Sequence, residues 1–171
     1  MAKAIYIPKN IAEKLKSRGL DPETYVVELL AEKLKLDPSE EALAHLDLAR
    51  RFLDEAKRVI DSDPVQASEK LYKVAEECLK ALTVKLRLEN VLRAVRSRGR
   101  WTVSELEKAA EALADKLGSK FYDAWDHARV LHVWGFHEAK LDSEAVRRRL
   151  PYVEYMLKVV EEILKSEQQN L

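Results

Sequence analysis

Residues 63–86 read "DPVQASEKLYKVAEECLKALTVKL", an aspartate and a proline followed by apolar residues at helical intervals. Asp63 suits an N-cap and Pro64 the first helical position, where a missing N–H costs nothing. Gln66 follows three residues after the cap, as a capping box prefers. Ala67, Leu71, Val74, Cys78 and Leu82 then form one stripe of a long helix. Immediately upstream, Ala49, Phe52, Ala56 and Val59 repeat the same spacing in "ALAHLDLARRFLDEAKRVI". Two long amphipathic helices with a short link between them predict an antiparallel hairpin, and an all-α fold around it.

Downstream the pattern continues. "TVSE" places a capping box from Thr102 to Glu105, ahead of the stripe Val103, Leu106, Ala110, Leu113 and Leu117. Phe121, Trp125, Ala128 and His132 line a fourth helix. Asp142 or Ser143 opens a last one, whose seam is Val146, Leu150, Val153, Leu157, Val160 and Leu164. Pro151 lies inside that seam and is expected to kink the helix rather than end it. Residues 38–171 therefore read as an antiparallel helical bundle.

Residues 1–37 differ. "AIYIP" alternates like a strand, a short helix follows to Arg18 with Gly19 as its cap, and Asp21-Pro22 opens another helix reaching Leu36. This strand-helix-helix order resembles the ribbon-helix-helix family, whose strands pair across a dimer to read DNA. Ala4 and Tyr6, on the strand's outward positions, are poor readers of base edges. Asp21 and Pro22 would stand where a helix N-terminus holds phosphate, one with the wrong charge and the other with no N–H. A docking or dimerising arm, and with it a homodimer, is the expectation.

Composition narrows the classes further. The 171 residues carry 30 Lys+Arg and 30 Asp+Glu, so no global basic field exists and any nucleic-acid surface must be local. Cys78 stands alone on an apolar stripe, which excludes an intrachain disulfide and fits an inert buried thiol. "MAKAIYIPKN" has no signal-peptide core, and no uncharged run is long enough to cross a bilayer; a cytoplasmic protein without membrane contact is expected. Abundant charges with few Asn and Gln match hyperthermophile composition.

Three further stretches carry a family resemblance: residues 42–86, the tryptophan-containing "GRWTVSELEKAAEALADKLG" and "AWDHARVLHVWGFHEAKLDSEAVRRRL". They resemble the PaREP family of archaeal hypothetical proteins, with "GRWTV" and "LHVWGFHE" as the most specific parts. That family is similar to the HEPN superfamily (higher-eukaryote and prokaryote nucleotide-binding), built on an antiparallel helical bundle. The resemblance implies a HEPN-like bundle and an association with nucleotides or RNA. Many HEPN members are metal-independent ribonucleases that use an arginine, four to six residues, then a histidine, often with a tyrosine shortly after. His137 matches the histidine, but the position five before it is His132; Arg129 lies eight before, and Ala139 stands in the tyrosine's place.

"LHVWGFHE", Leu131 to Glu138, is the candidate site. On an unbroken α-helix His132 and His137 would lie about 140° apart, so only a helix end or kink near Gly135 could bring them together. His132 continues the stripe of Trp125 and Ala128 and should be buried. His137 and Glu138 should sit at the rim of a small polar pocket, with Trp134 and Phe136 able to stack on bases. Glu138, Asp126 and Asp142 are conceivable third ligands, yet the spacing matches no known metal pattern, and neither metal nor cofactor is expected. Arg93, Arg96, Arg98 and Arg100, with Lys85 and Arg87, crowd the end of the second long helix and its following loop. Arg147, Arg148 and Arg149 form a second cluster. Both suit a solvated face, or a lip that binds phosphates. The functional expectation is a non-catalytic binding or accessory module for nucleotides or RNA. The alternatives are a degenerate ribonuclease using His137 with Arg129, or one half of a toxin–antitoxin pair with a protein partner.

Overall fold

The computed structural model describes residues 3–168. Among them every regular element is helical, and the chain divides into two compact units, Met1–Leu36 and Asp37–Leu171. The first unit holds α1 (Lys9–Ser17) and α2 (Pro22–Leu34). Gly19, at φ 71°, follows the end of α1 in the left-handed region, and Asp21 accepts a hydrogen bond from the Thr24 N–H at 3.0 Å to start α2. The expected strand is not formed: "AIYIP" has no regular structure, and Ile5 and Tyr6 are exposed. A five-residue strand without a neighbour has no ladder to satisfy its backbone. Alternation alone could not supply that neighbour.

The second unit contains α3 (Pro38–Val59), α4 (Pro64–Lys85), α5 (Glu89–Arg98), α6 (Val103–Leu117), α7 (Ser119–Val130), a π-helical segment Leu131–His137, and α8 (Ser143–Gln168). Asp63 caps as its spacing predicts, accepting from the Gln66 N–H at 3.0 Å, and Asp37, also followed by a proline, caps α3 by accepting from the Glu40 N–H at 3.0 Å. Cross-helix pairs fix the directions. Ser39 meets Lys85, His45 meets Glu77 and Glu55 meets Lys70, so α3 and α4 are antiparallel. Arg50 meets Glu161, Lys57 meets Glu154 and Asp61 meets Arg147, so α8 is antiparallel to α3 as well.

Helix α4 is the central helix, with α3, α6, α7, α8 and the π-helical segment packed against it. It is buried along most of its length and has little room for a solvated face. Its charges must therefore find partners inside. Glu77 lies 2.6 Å from His45 Nδ1 and 3.2 Å from Lys80 Nζ, all three essentially buried. Burial opposes its charge, but Lys80 and His45 win and hold the Glu77 carboxyl down at about 2.

Other expectations hold or need correction. Helix α8 runs through Pro151 without ending, with Val146, Val153, Met156 and Val160 fully buried. Asp142 opens it, accepting from the Ala145 N–H at 2.8 Å. Val103 is exposed rather than core, because it occupies the first position of α6 and the buried face begins only at Glu105 and Leu106. The basic cluster is not a loop: α4 ends near Lys85, Arg87 turns the chain at φ 51°, and residues 89–98 form the separate helix α5. Gly99, at φ 74°, stops it. Among the described residues, no helix is long and apolar enough to cross a membrane.

Candidate functional site

The π-helical segment decides the geometry of "LHVWGFHE". Each π turn bonds residue i to residue i+5, one residue wider than an α turn; the Glu138 N–H accordingly reaches the Val133 carbonyl at 2.9 Å. Residues five apart then lie nearly one above the other instead of far round the helix. His132 and His137 are brought together by this widening, with Nε2 to Nε2 at 3.1 Å and their rings edge to face.

Two neighbours fix His132. Its Nδ1 lies 3.0 Å from Glu69 Oε2, and its ring stacks on Tyr72 with centroids 4.0 Å apart. Both come from α4, together with Ser68. If the Nδ1–H donates to Glu69, Nε2 of His132 is an acceptor and His137 supplies the proton between the rings. Whichever ring carries that proton, one of the two facing nitrogens is bare.

The buried stripe of α7 does not pass through His132 as the spacing suggested. Trp125, Ala128 and then Leu131 are fully buried, while the His132 side chain retains 24% exposure at the stripe's edge. His137, Glu138 and Trp134 are exposed, and Gly135 is buried against α4. No room exists for a side chain at Gly135: an added Cβ would stand 2.3 Å from Ser68 Oγ. After the segment, Ala139 adopts φ 50° and the Lys140 N–H returns to the Trp134 carbonyl at 2.8 Å. A non-glycine residue in that left-handed conformation stores strain of the kind found at functional turns.

A second polar group adjoins the first. Trp125 Nε1 donates to Glu107 at 3.0 Å, the Tyr122 hydroxyl donates to the other Glu107 oxygen, and Arg129 lies 3.4 Å from Glu107 and 3.3 Å from Asp126. Burial works against the Glu107 charge, yet the hydrogen bonds from Tyr122 and Trp125 and the Arg129 charge hold its carboxyl below the usual range. The same bond pushes the Tyr122 hydroxyl up to about 12. On α4, burial and the Glu76 carboxylate push the Tyr72 hydroxyl up. Burial also raises Glu76, helped by Glu77 and Glu69 against the pull of Lys80 and His132, to about 7.

The sequence candidates thus separate. His132 and His137 are joined, with Trp134 between them on the same segment and Glu138 capping its end. Arg129 belongs to the Glu107 group, Asp126 is its partner, and Asp142 caps α8. Arg93 bonds to Asn90 at 2.5 Å, Arg96 to Glu89 at 3.5 Å and Arg98 to Glu105 at 3.0 Å. These partners belong to α5 and α6 rather than to the histidine group; Arg100 follows Gly99 in the same region. Sequence reasoning passed over Glu69, Tyr72 and Glu76. Their spacing of three and then four places them on one face of α4, a polar row beside the apolar stripe that could have drawn notice.

The fold and this site define an all-α bundle protein whose two imidazoles meet on a π turn, backed by a carboxylate from the central helix. The chain belongs to the archaeal PaREP1/PaREP8 family, whose model matches residues 44–157 and so spans every residue of the histidine group. It is similar to a protein from Sulfolobus solfataricus known from a crystal structure, with 32% identity and a TM-score of 0.63 over 67% of this chain and 94% of that one. A solution structure of the same structural-genomics target gives 32% identity and a TM-score of 0.63, over 69% and 92% of the two chains. A comparison with curated proteins gave no match.

Proposed function

We propose that this protein is a non-catalytic binding module for nucleotides or single-stranded RNA, on a HEPN-like bundle. One observation carries the choice of module over nuclease: Arg129, the arginine that would hold a phosphate, is already engaged by Glu107 and Asp126. A guanidinium paired with two carboxylates has little charge left for a scissile phosphate. With both His132 nitrogens and His137 Nε2 already engaged, Nδ1 of His137 is the ring position left to meet a base edge, as an acceptor when Nε2 carries the proton. Trp134, 52% exposed on the same segment, offers a stacking face.

Arg93, Arg96, Arg98 and Arg100 are the proposed phosphate contacts. Arg93 meets the Asn90 amide and Arg96 the exposed Glu89, an exchangeable surface ion, whereas Arg98 meets the buried Glu105. Phosphate contacts make affinity fall with salt. Exposed Ile5, Tyr6 and Ile11 support the first unit as a docking arm for a second copy.

Fluorescence anisotropy with a labelled single-stranded RNA tests the proposal. Saturable binding is expected at low salt, weakened about 5- to 150-fold by Trp134→Ala, the equivalent of about 1–3 kcal/mol of stacking, and weakened also by His137→Ala. No binding at low salt, or binding indifferent to both substitutions, overturns it.

A further inference from the structure

The His132–His137 pair has a geometry that base recognition does not require. The two Nε2 atoms face each other at 3.1 Å, and the far nitrogen of His132 is held by Glu69 at 3.0 Å. Metal–imidazole bonds of about 2.0–2.1 Å place neighbouring ligand nitrogens about 2.9 Å apart at a right angle and about 3.4 Å apart at the tetrahedral angle. The observed separation falls between them. A carboxylate on the second nitrogen is the usual support of a metal-bound histidine, since it fixes ring orientation and tautomer and raises ligand basicity. Stacking on Tyr72 holds the same ring, and the π turn sets the spacing.

We infer that His132 and His137 form a two-nitrogen site for an imidazole-preferring divalent ion of the zinc, nickel and copper class, with Glu69 as the positioning residue. The ion replaces the proton between the two Nε2 atoms, and that proton passes to the other nitrogen of His137 or to water. Hard ions such as magnesium prefer oxygen ligands and are excluded by the donor set. Among the described residues no group of three or more histidine, cysteine or acidic side chains is arranged to hold an ion. The site is therefore open, and its remaining positions belong to water or to an oxygen of a bound molecule. This inference does not rest on nucleotide binding.

Calorimetric titration of the full chain with zinc chloride, without nucleotide and with magnesium chloride as control, tests it. One zinc per chain and no magnesium heat are expected. His137→Ala and His132→Ala should each abolish the zinc heat or weaken it at least tenfold. Glu69→Gln should weaken it about 10- to 100-fold, the usual effect of losing such a support. His127→Ala, on a histidine stacked with Tyr152 elsewhere on α7, should leave it unchanged. A zinc-induced rise in melting temperature that vanishes in His137→Ala would show that this variant is folded yet blind to the ion. No zinc heat in the wild type, or zinc heat retained in His137→Ala, overturns the site. Zinc heat indifferent to Glu69→Gln overturns the role of the carboxylate. Failure of RNA to bind leaves every one of these outcomes readable.

Discussion

Gly135 and Ser68 touch so closely that no side chain fits between the π-helical segment and α4; a Cβ on Gly135 would lie 2.3 Å from Ser68 Oγ and 2.5 Å from its Cβ. This contact seats the segment beside Glu69 and Tyr72, so the glycine serves approach rather than flexibility. Gly135→Ala should destabilise the fold by about 1–3 kcal/mol, the usual cost of overpacking. Ser68→Gly removes both clashing atoms, so the double variant should recover most of that loss. Urea melts of the two single variants and the double variant check it, and simple additivity would mean that the contact is not the cause.

The His45–Glu77–Lys80 group makes a different demand. Glu77→Ala leaves a buried imidazole and a buried ammonium without their shared carboxylate, which should cost about 3–5 kcal/mol. The native carboxyl is held near 2 against an ordinary 4.5. Its contribution is present above pH 4.5 and is lost as pH falls through 4.5 toward 2. Acid titration followed by circular dichroism should show Glu77→Gln losing less stability over this window than the wild type.

Glu76 has the opposite sign. Its carboxyl is raised from 4.5 to about 7 by burial, so the folded state favours the neutral form. That preference stabilises below pH 4.5 and is lost as pH rises through 7. Glu76→Gln should therefore raise the melting temperature at pH 8, by the equivalent of about 1–2 kcal/mol once partial exposure is allowed for, and change it little at pH 4.5. Melts at the two pH values check it.

Much of this was legible because helical periodicity and caps are local. Asp37, Asp63, Thr102 and Asp142 each mark a helix start, and the α3, α4 and α8 stripes run through the core. Short polar helices are less visible: α5 has only Val91 buried, so its residues resemble a charged loop. The meeting of His132 and His137 was legible only as a loss of phase near Gly135. Its cause, a widened turn seated by Ser68 from a helix more than sixty residues earlier, is a tertiary contact that no local pattern encodes. The leader failed for the related reason that alternation describes a strand's faces and not its neighbour.

The first unit supplies a fourth prediction. If exposed Ile5, Tyr6 and Ile11 dock a second copy, the full chain should run as a dimer in light scattering and a chain lacking residues 1–36 as a monomer. Equal masses per particle for the two chains would remove the arm from that role.

The proposal of a module rather than a nuclease rests on the engagement of Arg129 by Glu107 and Asp126, and RNA integrity tests it most directly. A single-stranded RNA labelled at one end, incubated with an excess of wild type, Arg129→Ala or His137→Ala and resolved by length, should remain intact in all three while the wild type binds it. Cleavage by the wild type that disappears in both variants would contradict the account and make the pair catalytic.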